Sequence, residues 1–182
     1  VGLPVPTLEA RCVDAEGTAL PAGEIGELCV RGSPVIKGYL NQEAATAETI
    51  TDGWLHTGDV AKIDEHGFIF IVDRVKDMVL RGGENVYCSE VEAVLHRLDE
   101  IAECSVFSVP DERLGEEVGV SIYLKPGVGM SADRVREFCL AHMAKHKSPR
   151  YIWFSPKPLP RNASGKFLKR ELRDSLNVTD AV

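Results

Sequence analysis

Apolar and polar residues alternate in two short runs near the start of the chain, LEARCVD and GELCVRG, separated by the turn-rich AEGTALPAGEIG. A period of two sends successive side chains to opposite faces of a sheet, so these runs predict antiparallel strands. A short helix is expected over EAATAETI. Further strands are expected at Val60 to Ile63 and Phe68 to Val72, joined by the turn Asp64-Glu65-His66-Gly67. The opening third therefore reads as β-rich with one small helix.

Beyond Arg74 the period changes. Ser89-Glu90-Val91-Glu92 has the spacing of a capping box, which predicts a helix opening at Ser89 with Val91, Val94, Leu95 and Leu98 on one face. CSVFSVP and EVGVSIYLK read as strands, the second with Val118, Val120, Ile122 and Leu124 aligned. Ser131 is placed to cap a longer helix over ADRVREFCLAHMAKHK, striped by Val135, Phe138, Cys139 and His142 and ended by Pro149. YIWFS is a third strand, where Trp153 and Phe154 pack the sheet, and a last helix is expected from Phe167 to Ser175. The fold class is α+β: a small β-rich subdomain, then an α+β domain with a three-stranded sheet and flanking helices. The expected pieces are residues 1–73, a hinge at 74–76, and a second domain at 77–182.

Composition narrows the partners. Of 182 residues, 44% are hydrophobic and 27% charged, as in soluble globular proteins. The net charge of −7 argues against general nucleic-acid binding, which needs a basic face. Five widely spaced cysteines without a CxxC pair suggest neither disulfides nor zinc, so reduced thiols, a cytoplasmic location and no metal site are expected. No apolar run approaches the roughly 20 residues of a transmembrane helix, and VGLPVPTLEA lacks a signal-peptide pattern. That abrupt start is expected of a piece from a longer chain.

Candidate chemistry concentrates in GWLHTGDVAKIDEHGFIFIVDRVKDMVLRGGENVY, residues 53–87. Asp59, following Thr57-Gly58, is a carboxylate suited to two vicinal hydroxyls, such as those of a ribose, or to a plain turn. Arg74 could grip phosphate or ribose oxygens with its fork, or bridge Asp73 or Asp77. Gly82 and Gly83 sit in what reads as a loop, Arg81 to Asn85, open to close ligand approach or an ordinary turn. Lys166, after Ser164-Gly165 in a flexible polar loop, could neutralise charge on a phosphoryl or carboxylate oxygen, or face solvent. His142 and His146 share the four-residue spacing of some zinc ligands, but no third ligand is evident and a structural role is expected. His56 is assigned no chemistry.

Taken in order, RGSPVIKGYLNQ, GWLHTGD, GFIFIVDRVKDMVLRGGENVYCSEVE and PRNASGKFLKREL resemble the later signature motifs of the acyl-CoA synthetase, luciferase and peptide-synthetase adenylation superfamily. The chain looks closest to the fatty-acid and related carboxylate–CoA ligases. That resemblance implies Mg2+–ATP activation of a carboxylate to an acyl-adenylate, then transfer to coenzyme A, with a mobile C-terminal lid domain serving each step. It implies that Asp59 holds the ribose hydroxyls of ATP or AMP, Arg74 contacts ribose and phosphate, and Ile71 packs beside the nucleoside. Lys76 takes the hinge position, Lys166 becomes the adenylation lysine, and Gly82 and Gly83 border the pantetheine path of CoA. The superfamily's phosphate loop, acyl pocket and Mg2+-binding glutamate motif are absent from this chain, so the missing N-terminal domain is the expected partner and this piece alone is expected to be inactive. Alternatives are an adenylation domain loading a carrier protein, or a non-catalytic module of the same fold. Arg113, Lys145, Lys147 and Arg150 are cations available for the CoA nucleotide.

Overall fold

The computed structural model describes residues 1–182, and its chain divides into two compact units, Val1–Lys76 and Asp77–Val182. In the first unit, β1 (Leu8–Val13) and β2 (Ile25–Gly32) pair antiparallel from Leu8↔Gly32 to Val13↔Glu27. α1 (Glu43–Thr49) leads into the two-residue β3 (Ile50–Thr51) and then β4 (Trp54–Ile63). β4 starts six residues before the expected strand, because Trp54 and Leu55 pair with β3 while its second half pairs with β5 (Ile69–Arg74). The β4–β5 turn is held by Asp64, whose carboxylate accepts from His66 N at 2.9 Å and Phe68 N at 2.8 Å. The strand order is β1-β2-β4-β3, with β5 on β4. Cys12, Leu28, Ala61 and Ile69 form one buried cluster, and Val13, Cys29 and Trp54 another.

The second unit opens with a hairpin of β6 (Val79–Arg81) and β7 (Glu84–Val86), which takes in the segment Arg81 to Asn85 expected to be loop. Strands this short carry too few residues to display a period. Gly82 and Gly83 are the two-residue tip between Arg81↔Glu84, at φ of +58° and +89°, the left-handed pair that matches strand twist in such turns. α2 (Cys88–Leu95) follows, then the long antiparallel pair β8 (Ile101–Asp111) and β9 (Gly115–Leu124). After α3 (Ala132–His142), β10 (Tyr151–Ser155) joins β9 in parallel, and α4 (Lys169–Ser175) comes last. The expected three strands are β8, β9 and β10, and the hairpin extends them to a five-stranded sheet.

Both faces of this sheet are buried, which explains its nearly continuous apolar strands. Val106, Val118, Val120, Ile122 and Ile152 pack with Val91 and Leu95 of α2 and Val135 and Cys139 of α3. The alternate residues Phe107, Val109 and Trp153 pack with Leu159 and with Leu172 of α4. Trp153 stacks on Phe107 at 5.8 Å and donates its Nε1 hydrogen to Asn177 O at 3.0 Å.

Three local expectations fail for tertiary reasons. The second helix does not open at Ser89: α2 already includes Cys88, with Tyr87 as its N-cap. The Glu92 carboxylate accepts from Val106 N at 2.8 Å and meets Lys169 Nζ at 3.0 Å. Ser131 does cap α3, accepting from Arg134 N, but that helix stops at His142. Met143 turns extended and packs on the core, so His142 and His146 lie in separate elements rather than on one helix face. α4 starts at Lys169 because Phe167 is held in a bridge to Arg161.

Candidate active site

Thr57-Gly58-Asp59 lies inside β4, not in a loop entering it, and at an irregularity where β2 and β4 lose register between Glu27 and Cys29. Gly58 adopts φ of +70°, which favours glycine at such a bulge. The bulge is pinned from β2. Gly58 N donates to Glu27 Oε1 at 3.2 Å, and Thr57 Oγ1 donates to Leu28 O at 2.8 Å while accepting from Asp59 N at 3.1 Å. Bulges re-aim side chains beside sites. This one turns Asp59 toward Arg74.

Asp59 and Arg74 are cross-strand partners in the β4–β5 register, with Arg74 Nε 2.9 Å from Asp59 Oδ1. Arg74 is 57% exposed and Asp59 27% exposed, so the pair is a solvated one worth at most about 1 kcal/mol. It is therefore cheap to open when a ligand offers better partners. Ile71, on the same strand as Arg74, leaves 43% of its surface open. Lys76 is exposed in the single turn Val75–Asp77, at the last position of the first unit.

In the second unit, the segment from Arg161 to Phe167 is a self-braced turn rather than the expected flexible loop. Asn162 Oδ1 accepts from Ser164 N at 3.1 Å, Ser164 Oγ at 2.8 Å and Lys166 N at 2.9 Å, and Asn162 N donates to Lys166 O at 2.9 Å. Arg161 donates to Gly165 O at 2.8 Å, stacks over Phe167 at 3.9 Å and pairs with Glu103 at 3.1 Å. Glu103 also accepts from Leu159 N at 2.8 Å, so β8 anchors the entry to the turn. The exit is anchored by Lys169. Burial opposes its charge, but Cys88, Glu92 and Asp77 outweigh that and hold its amine above the ordinary lysine value. Lys166 itself is exposed and has no ion-pair partner, on the rim of a 390 Å³ recess with Asp77, Asn162 and Phe167. A rigid turn thus presents a free ammonium.

Two features escaped the sequence. Arg81, at the foot of the Gly82-Gly83 hairpin, pairs with Glu117, a carboxylate only 2% exposed in β9, just before the buried Val118 and Val120. A glutamate within EVGVSIYL was the available signal. Glu27, Cys29 and His56 also come together across β2 and β4, though His56 was given no role. Of the cations considered available, Lys147 is bound by both Glu90 oxygens at 2.7 Å, and Arg150 lies 3.5 Å from Asp111. All five cysteines are free thiols. Burial pushes Cys29 and Cys139 up to about 11 and Cys104 up to about 12, with Glu27 adding to the rise at Cys29 and Glu92 at Cys104. Cys29, Cys104 and Cys139 are therefore not ionised nucleophiles at neutral pH.

Comparison with known proteins places these residues in context. Residues 1–40 match the family described as AMP-binding enzyme, and residues 90–166 match the AMP-binding enzyme C-terminal domain. A methyl-dioxo-octahydroindenyl-propanoyl:CoA ligase of Rhodococcus jostii is 48% identical over 87% of this chain. A long-chain-fatty-acid–CoA ligase of Salmonella typhimurium is 44% identical over 96% of it. The chain spans 32% and 31% of those two proteins, about a third of their length. ATP-bound MatB from Rhodopseudomonas palustris superposes with a TM-score of 0.89 at 36% identity, over 96% of this chain and 35% of that one.

Proposed function

The chain belongs to the adenylate-forming AMP-binding enzymes and corresponds to the C-terminal part of its ligase relatives, and on that footing we propose that it completes the active site of an ATP-dependent carboxylate–CoA ligase. Asp59 accepts hydrogen bonds from the two ribose hydroxyls, releasing Arg74 from the 2.9 Å pair to meet ribose or phosphate oxygen. Ile71 covers the nucleoside with its open apolar face. Lys166 lies between the substrate carboxylate and the α-phosphate. A carboxylate oxygen attacks the α-phosphorus, pyrophosphate leaves, and the ammonium offsets the charge that gathers on the oxygens. The thiol of CoA then attacks the acyl carbonyl and AMP leaves, with Gly82 and Gly83 bordering the pantetheine arm at a hairpin tip that has no side chains to obstruct it. Mg2+ accompanies ATP, and no residue of this chain is assigned to it. Fatty or related acids are the proposed substrates, in the cytoplasm.

The observation that supports this reading is that the first unit sets a part-exposed carboxylate, Asp59, beside a bulge, and the second holds an unpaired lysine, Lys166, on a braced turn. Lys76, where the units meet in sequence, is the proposed hinge, with residues 1–73 and 77–182 as the bodies it joins. Assay of the complete protein for carboxylate-dependent pyrophosphate release and CoA-dependent AMP release tests the proposal; absence of both sinks it. The 182-residue chain alone is expected to release no pyrophosphate. Robust turnover by it would contradict the assignment.

Lys76→Pro in the complete enzyme fixes φ near −65° at the proposed pivot. Because each half-reaction needs a different lid presentation, the expected outcome is selective loss of one of them. Both steps proceeding at the parental rate would remove the hinge role.

A further inference from the structure

We infer that Glu27, Cys29 and His56 form a binding site for a thiophilic divalent cation such as Zn2+, set in the first unit beside the Asp59 bulge. Their donor atoms, one from each residue, all lie within 4.8 Å of one another. Cys29 and His56 are direct cross-strand partners, and their Sγ and Nδ1 are 3.5 Å apart. Tetrahedral zinc, with Zn–S near 2.3 Å and Zn–N near 2.0 Å, separates those two atoms by about 3.6 Å. The sulfur and nitrogen therefore already stand at coordination spacing. Glu27 Oε2 touches the same nitrogen at 2.7 Å. A zinc-bound oxygen stands about 3.4 Å from the nitrogen, so the carboxylate must swing back by well under 1 Å. Its other oxygen is meanwhile steadied by Gly58 N.

The arrangement differs from a simple brace. Glu27 and His56 would suffice to pin the bulge, whereas Cys29 adds a wholly buried soft donor to the same point. Thiolate, imidazole and carboxylate together favour Zn2+, Co2+ or Ni2+ over Mg2+ or Ca2+, whose preferred ligands are oxygens. Approach is open, because the His56 and Glu27 side chains keep 28% and 26% of their surface exposed. Binding converts the Cys29 thiol to a metal thiolate and releases one proton to solvent, with His56 coordinating as neutral imidazole. Three protein donors leave a fourth position for water. Since Thr57 and Gly58 link His56 directly to Asp59, occupancy ties the ribose-type carboxylate to a metal-clamped strand pair.

Cobalt titration of this chain tests the site. One Co2+ per chain should produce a sulfur-to-cobalt charge-transfer band that Zn2+ abolishes by displacement and excess Mg2+ leaves unchanged. Cys29→Ser should remove the band while the other cysteines stay in place. His56→Gln, at a less buried position, should weaken cobalt binding by about tenfold or more. Circular dichroism identifies which variants are folded, and His56→Gln decides if Cys29→Ser does not fold. No band at millimolar cobalt, a band that survives in folded Cys29→Ser, or unchanged affinity in folded His56→Gln each overturns the site and leaves a hydrogen-bonded brace.

Discussion

On the proposed function, replacing Lys166 by alanine in the complete protein should slow acyl-adenylate formation by about a hundredfold to a thousandfold, the usual effect of deleting one preorganised group that meets developing charge. Thioester formation from a supplied acyl-adenylate should be nearly unaffected. The asymmetry follows from where the lysine is proposed to act: the α-phosphate and carboxylate gather charge in the first step, while the second step attacks a carbonyl already activated by its AMP leaving group. Structure makes the substitution a clean one. Lys166 lacks an ion-pair partner, and its turn is held by backbone atoms, Asn162 and Arg161, so alanine leaves the scaffold intact. Pyrophosphate exchange and single-step thioesterification measure the two rates separately. Equal loss in both would contradict the assigned role.

Arg81→Ala should destabilise the second unit by about 3 kcal/mol, the low end for removing one member of a buried ion pair. Glu117 is 2% exposed, and without Arg81 its nearest cation is Arg150 at 3.8 Å. Repulsion is not the cause. The cost is a carboxylate stranded away from water. Glu117→Gln in the Arg81→Ala background should accordingly recover much of the loss, because it removes a buried charge left with only the longer Arg150 contact. Urea unfolding of this chain and its variants checks both values, and a loss below about 1 kcal/mol would mean the pair behaves as a solvated surface bridge. Hydrogen exchange should rise first at Val79 and Val86, whose β6–β7 pairing carries the Gly82-Gly83 tip.

Much of the second unit was legible because its apolar periods are strong. Val118, Val120, Ile122, Val135 and Cys139 are buried as their spacing requires, and Ser131 caps α3 by a contact three residues away. The β6–β7 hairpin was not legible, since strands of three residues have no readable period. Nor was the fate of Glu92. A capping box is a local contact, whereas the Glu92 carboxylate meets Lys169, which lies 77 positions downstream and needs a carboxylate where burial opposes its charge. The Lys166 turn looked flexible by composition. Its order comes from Asn162, a residue whose short amide can satisfy several nearby backbone donors at once.

The same division holds for the site. Sequence by itself determined which residue types are available and, through ordered motifs, the ligase family; the proposed roles of Asp59, Arg74 and Lys166 rest on that order. Only the tertiary structure decided that a bulge pairs Asp59 with Arg74 across β4 and β5, that Glu117 holds Arg81 beneath the glycine tip, and that Glu27, Cys29 and His56 converge. The physical reason is that a strand's own period fixes which face a side chain takes, whereas its partner across the sheet depends on register, and register is set by turns and bulges elsewhere in the chain.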